Sequence, residues 1–362
     1  MKKQFCCIPA LLLWVALSLG AWLLPDQAQS DSERRPLAQM PQISGKNILS
    51  GRFMDGFEDY ALDQFPLRDA FRSLKTRFHT GLLGQQDSNG IYLYAGHAAK
   101  MEYPLDRTSV KYALGRFNHL YETCLTGSRV FMAVVPDKNY YLAPESGRLS
   151  LDYDSLMAQV RDGMPWAEQI TLTDVLSLED YYYTDTHWRQ ENLLPAADVL
   201  CRALGVQSPR PEDFTPVTLE EPFRGVYMGQ SALPLEPDRI TLLESDVLSQ
   251  CRVYDHETGK TFQVYDRTKL QSRDLYDVFL GGAKALLTVE NHCAGNDREL
   301  IVFRDSFGSS MIPLLLRDYS RVTVVDIRYV SIDLLKNFVD FRGQDVLMLY
   351  STLILNGSSA IK

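Results

Sequence analysis

Two short stretches carry side chains that can act together on a carbonyl: Tyr181-Tyr-Tyr-Thr-Asp-Thr-His-Trp188 and Arg304-Asp-Ser-Phe-Gly308. A serine hydroxyl is a weak nucleophile until a base takes its proton, and an imidazole does this best when a carboxylate holds its tautomer. Asp185 and His187 supply that pair, and Ser306 supplies the hydroxyl. Ser306 also stands where the chain changes character. Leu300 to Phe303 is a short apolar run bounded by charge, the pattern of a strand buried on both faces. Beyond Gly308-Ser309, apolar residues at Met311, Leu314, Leu315 and Tyr319 fit one helical face, with Pro313 tolerable in a first turn. A strand-to-helix corner lifts a hydroxyl out of the sheet and sets backbone N–H groups and the positive helix end beside it. A serine before a helix is usually a plain cap, so it is the Asp185 and His187 pair that singles this one out.

Strand and helix patterns alternate around these stretches. Gly90 to Tyr94, Val130 to Val135, Ile170 to Leu172, Ala285 to Val289, Arg321 to Val325 and Asp345 to Tyr350 read as short strands. Thr108 to Cys124 and Ser331 to Phe341 read as helices between them, and a helix capped at Asn192, with Pro195 in its first turn, stops at Gly205. The order predicts an α/β three-layer sandwich with a mostly parallel central sheet, whose site lies at the carboxyl ends of the strands. Asp185 and His187 fall in a loop feeding a helix, where functional side chains are commonly presented. Arg328 and Tyr329 follow a strand at the same end as Ser306 and are expected to line its pocket, with pairing to a carboxylate an equal alternative for Arg328. Trp188 is a further candidate for touching substrate. A loop-rich insertion is expected at about 207–265, including a hairpin from Arg252 to Val264. Earlier, Asn47 to Leu83 reads as two helical parts interrupted at Pro66, with Phe71, Leu74, Phe78 and Leu82 as a core-packing stripe.

The chain opens with Lys2 and Lys3, followed by about twenty mostly apolar residues, near the length that spans a bilayer. Residues 1–25 are therefore expected to be an export signal or a membrane anchor, residues 26–45 a linker, and residues 46–362 the α/β domain. Ala28-Gln29-Ser30 offers a weak cleavage site, and in either case the body lies outside the cytoplasm. The formal net charge of -9 argues against nucleic acid as a partner. Cys124, Cys201, Cys251 and Cys293 are spaced too irregularly for a zinc cage, and both disulfides and free buried thiols fit the sequence. No cofactor or metal is called for by the serine chemistry.

Asp185-Thr-His-Trp188, Arg304-Asp-Ser-Phe-Gly308 and Val325-Asp-Ile-Arg-Tyr329 together resemble the DHHW family of Gram-positive bacteria, which is related to the alginate O-acetylation proteins. Arg35-Pro-Leu, Asp63-Gln-Phe-Pro-Leu-Arg68, Val135-Pro-Asp-Lys138 and Asp345-Val-Leu extend the resemblance over most of the exported chain. The resemblance implies an SGNH-hydrolase-like domain with Ser306 as nucleophile, His187 as base and Asp185 as its orienter. It also implies acetyl transfer to a cell-surface polysaccharide, supplied by a membrane-bound O-acyltransferase. Thr186 replaces the first histidine of the family's name motif, and Arg304 stands where ordinary SGNH enzymes carry glycine. Ser309 and Asn356 are the candidates for further oxyanion donors. Three alternatives share these residues: a glycan esterase, a surface scaffold that stacks sugars on its aromatic rings, and a metal hydrolase using His187 and Glu191.

Overall fold

The computed structural model describes residues 2–362, with the side chains of residues 2–7 and of Ala10 outside the described residues; the expected role of the Lys2 and Lys3 pair falls among these. Two compact units divide the chain, Met1–Gly90 with Met228–Leu235, and Ile91–Tyr227 with Glu236–Lys362.

In the N-terminal unit a helix spans Lys2–Leu23, with Leu12, Trp14 and Trp22 all more than half exposed. Among the described residues no helix is long and apolar enough to cross a membrane. Helices Arg52–Asp63 and Arg68–Arg77 follow, parted near Pro66 as the sequence predicts. Their apolar stripe does not pack as expected. Leu74, Phe78 and Leu82 are exposed, and Thr76 is the one buried residue of the second helix. The helical period is right, but a period cannot say whether a layer lies against it. The Arg35 and Asp63 motif residues form a two-bond ion pair at 2.8 and 2.6 Å, joined by Arg68 at 3.3 Å. Both helices fall in the unit formed by Met1–Gly90 with Met228–Leu235.

The larger unit is built on eight strands: β1 Val130–Val135, β2 Ala167–Ile170, β3 Arg252–Asp255, β4 Lys260–Phe262, β5 Leu286–Glu290, β6 Glu299–Arg304, β7 Arg321–Val325 and β8 Asp345–Ser351. Their order across the sheet is β4-β3-β5-β7-β6-β8-β1-β2. The five from β7 to β2 are parallel, and β5, β3 and β4 extend the sheet antiparallel. Because side chains alternate along a strand, each parallel strand feeds two cores. Phe131, Ala133, Leu300, Val302, Leu347 and Leu349 enter one; Val130, Met132, Ile301, Phe303, Val346 and Met348 enter the other. Helix Leu194–Leu204 packs in the first core and helices Arg107–Leu120 and Tyr153–Gly163 in the second, giving three layers.

Several expectations shift. The strand expected at Gly90 to Tyr94 forms a separate hairpin, Ile91–Tyr94 with His97–Lys100. The segment from Ser331 to Phe341 holds only a short 3-10 helix, Ile332–Asn337, and the helix after Ser306 is one α-turn, Gly308–Met311, continued as 3-10 through Asp318. The expected hairpin after Arg252 is present, but it is part of the main sheet rather than of a surface insertion. Cys124, Cys201, Cys251 and Cys293 are free thiols, all but Cys293 buried.

Candidate active site

Ser306 sits immediately past the carboxyl end of β6, on a corner built by its neighbour. Asp305 Oδ1 accepts from the Phe307 amide at 3.0 Å, and its Oδ2 accepts from the Ser351 amide at the end of β8 at 2.7 Å. The carboxylate thereby ties the turn to the adjacent strand, which fixes where the hydroxyl points. Gly308 lets the following helical turn lie against β6, because a Cβ there would stand 2.7 Å from the Cβ of Arg304. Arg304 is fully buried under the corner, donating to the Gly282 carbonyl at 3.1 Å and the Asp305 carbonyl at 3.3 Å.

The second stretch folds back on itself. Tyr181 bridges Trp188, and the Tyr182 amide donates to the His187 carbonyl at 3.1 Å. Asp185 lies at the tip and its carboxylate is filled: Oδ1 accepts from the His187 amide at 3.0 Å and from His187 Nδ1 at 2.6 Å, while Oδ2 accepts from the Val226 amide at 2.7 Å. With its Nδ1 proton given to Asp185, the imidazole presents a bare Nε2 to the Ser306 hydroxyl, 2.7 Å away. The ring is held flat by Tyr276, stacked at 4.0 Å and 11°, and by Phe307 at 5.0 Å. Tyr276 is fixed in turn by its hydroxyl, 2.7 Å from Ser310 Oγ. Residues 119 positions apart in the chain thus meet in one line of hydrogen bonds.

The other expected site residues are placed differently. Trp188 was expected at the substrate; it is fully buried, its indole donating to the Phe307 carbonyl at 3.0 Å and to Ser310 Oγ at 2.9 Å. A ring without exposed surface cannot stack on a substrate, and Trp188 instead pins the two loops to each other. Arg328 takes the carboxylate alternative, gripping Asp326 at 2.8 and 2.6 Å. Tyr329 is half exposed, with the Arg328 guanidinium 5.5 Å from its ring centre. Asn356 is no oxyanion donor, since its side chain accepts from the Asp106 amide at 2.7 Å and donates to the Pro104 carbonyl. Ser309 is buried and its amide donates to the Ser306 carbonyl at 3.1 Å. Glu191 pairs with Arg189 at 3.1 Å.

Three further residues support the Asp185 loop. Asp238 accepts from the Tyr183 amide at 2.9 Å and from the Thr184 amide and hydroxyl at 2.7 and 2.6 Å, clamping the loop before Asp185. Gly225 passes so close beneath that a Cβ would overlap the Thr184 carbonyl and the Asp185 amide. Gly225→Ala is therefore expected to lower stability by about 1–3 kcal/mol and to weaken turnover by moving Asp185. Urea unfolding and ester kinetics on the variant check this; wild-type values for both contradict it.

Lys138, just past β1, is the third. Its buried ammonium donates to the Tyr182 and Tyr183 carbonyls at 2.8 and 3.2 Å. Burial pulls its pKa from 10.5 down to about 7, against the opposing pull of Asp185 and Asp238. The unfolded chain thus holds this proton through a pH range in which the folded chain has released it. Stability from this site rises with pH from about 7 upward and is lost as pH falls through about 7. The urea midpoint of wild type should gain on that of Lys138→Met between about pH 7 and about pH 9; midpoints that move in parallel contradict the assignment.

No protein-family model matches the chain, and no curated protein matches it. Among solved structures, a DHHW family protein from Eubacterium siraeum superposes with a TM-score of 0.63 at 22% identity, over 75% of this chain and 94% of that one. Bacillus cereus PatB1, solved with a sulfonyl adduct, superposes with a TM-score of 0.59 at 15% identity, over 73% of this chain and 95% of that one. A further PatB1 structure gives 0.57 at 15% identity, over 75% and 98%. The likeness is one of fold, an SGNH-hydrolase-like α/β sandwich, and at that level the expected resemblance to the DHHW family holds.

Proposed function

We propose that this chain, which has the fold of that DHHW family protein, transfers an acyl group through a serine ester to a cell-surface polysaccharide. The observation that carries the reading is the unbroken line from Asp185 Oδ1 through the His187 ring to Ser306 Oγ, with spacings of 2.6 and 2.7 Å. In the first half-reaction His187 Nε2 takes the Ser306 proton as Oγ attacks the carbonyl of an acetyl ester. Asp185 holds the Nδ1 proton and stabilises the imidazolium that results. The oxyanion forms beside the start of the Gly308–Met311 turn, where the Ser306 amide donates to no group among the described residues and is free to hold it. His187 then returns its proton to the leaving alkoxide, and the acetyl group remains on Oγ. In the second half-reaction a sugar hydroxyl gives its proton to Nε2 and attacks the acetyl carbonyl; the bond to Ser306 Oγ breaks as Nε2 returns the proton to Oγ, and the sugar leaves with the acetyl group. Water in the same place gives an esterase, so excluding it decides between the two.

The apolar helix Lys2–Leu23, behind two lysines, supports an extracytoplasmic location, either exported or held at the membrane. A membrane-bound O-acyltransferase is the matching source of acetyl groups. Recovery of the chain in the cytosolic fraction of the producing cells would remove both of these readings. Activity is tested by giving the full chain an acetyl-ester donor and an oligosaccharide. Acetylated sugar is the expected product; free acetate alone means an esterase, and neither product means that the line of hydrogen bonds does no acyl chemistry.

A further inference from the structure

The second core does not extend across the whole sheet. On the face where Ile301 and Phe303 are buried by helices, the antiparallel extension carries polar side chains, and a groove of about 480 Å³ lies over it. The register of the strands sets these side chains in two rungs. One runs Thr261, Tyr254, Thr288, Thr323 across β4, β3, β5 and β7. The next, two residues along, runs Arg252, Glu290, Arg321, Glu299 across β3, β5, β7 and β6. The opposite faces of the same strands, Val253, Val289, Val322 and Val324, are buried, so the outward polar set follows from the pleat.

Each rung has its own chemistry. The first offers three hydroxyls around a tyrosine that is 41% exposed, its ring set edge-on to His256 at 4.9 Å and 77°. His256 Nε2 lies 2.8 Å from Thr288 Oγ1, which fixes that ring against the strand. Phe338, 58% exposed, lies on the other flank of the groove. The second rung alternates positive and negative, with Arg321 at 3.4 Å from Glu290 and 3.5 Å from Glu299. Its charges cancel along the rung, so it has no field to select a polyanion or a polycation, while its N–H and carboxylate groups can pair with hydroxyls of either sense. An exposed ring flanked by hydroxyls and balanced charges suits a partner that has apolar ring faces and many hydroxyls but little net charge.

We infer that this groove binds a neutral stretch of the polysaccharide, with a sugar face on Tyr254 and its hydroxyls on the two rungs. The inference rests on the proposed acyl transfer for its choice of partner. It adds a second site on that partner. The charged rung begins at the amino end of β6 and Ser306 follows its carboxyl end, roughly 20 Å away along the strand. A chain bound in the groove is thus held without occupying the serine. The groove should lower KM for long glycans and have no effect on a small ester, whose atoms reach only Ser306.

The test uses the full chain in native gels containing polysaccharide extracted from the surface of the producing cells, and in parallel measures hydrolysis of a soluble acetyl ester. Wild type and Ser306→Ala are expected to be retarded alike, and Tyr254→Ala to bind at least about tenfold more weakly with ester turnover unchanged. Arg321→Ala should weaken retardation as well, again without touching the ester rate. Unretarded wild type overturns the inference, as does retardation indifferent to Tyr254 and Arg321. So does a concentration-dependent dimer in sedimentation that Tyr254→Ala abolishes, since a second copy would then cover the face. If retardation depends on Tyr254 but no ester is turned over, the groove stands and the acyl-transfer reading fails.

Discussion

Replacing Ser306 with alanine is expected to lower kcat/KM for an activated acetyl ester by about 10⁴- to 10⁶-fold, with Tm displaced by no more than about 2 °C. The two parts of this expectation have different origins. In the proposed mechanism the hydroxyl oxygen is the atom that becomes acylated, so nothing else in the site can take over the covalent step. Its structural share is small, because the corner is held by Asp305 through the Phe307 and Ser351 amides and not by Oγ. His187→Ala should cost turnover as severely, yet it also empties the space between Tyr276 and Phe307, so a larger loss of stability should accompany it. Thermal melts and ester kinetics on both variants separate chemistry from packing. A Ser306→Ala protein that keeps wild-type turnover ends the nucleophile assignment.

Asp185→Asn is expected to lower kcat by about 10⁴-fold and stability by about 1–3 kcal/mol. The carboxylate accepts three hydrogen bonds, two on Oδ1 from His187 and one on Oδ2 from the Val226 amide. An asparagine has one acceptor oxygen and one donor amide. If its oxygen faces His187, the NH₂ meets the Val226 N–H and the loop is pushed apart. If it faces Val226, the NH₂ meets Nδ1, which must then be unprotonated. That moves the imidazole proton to Nε2, where it blocks removal of the serine proton. Either orientation is harmful, and the first also loosens the seat over Gly225. The check is a pair of measurements, kcat and urea midpoint; an unchanged kcat with a lowered midpoint means that Asp185 is only a fastener.

The parts legible in the sequence are those that depend on short-range pattern. The runs Val130 to Val135 and Leu300 to Phe303 point to parallel strands because side chains buried on both faces leave no polar alternation, whereas Arg321 to Val325 reads as a strand by its β-branched residues. The spacing Asp185-x-His187, taken with a serine at a strand-to-helix corner, singles out three side chains, and these do meet. What stayed hidden depends on which elements lie against each other. Trp188 looks like a sugar platform in the sequence, and only the packing of Phe307 and Ser310 over it shows that the ring is internal. Asp238, Gly225 and Lys138 support the Asp185 loop from 53 residues downstream, 40 downstream and 47 upstream, and although Lys138 closes the Val135-Pro-Asp-Lys138 motif, no local pattern ties any of the three to that loop. The Arg252 hairpin reads as surface excursion because it closes a stretch rich in Pro, Gly and acidic residues with little periodicity, yet alternate residues such as Val253 are buried in the main sheet.

The acyl-transfer mechanism is tested most directly by trapping the intermediate. The full chain is mixed with an acetyl ester, quenched in acid within the first turnover and digested for peptide mass spectrometry. Acetyl on Ser306, formed in wild type and absent from His187→Ala, is the expected result. Ester turnover that leaves Ser306 unmodified, or that places the acetyl group on another residue, contradicts it.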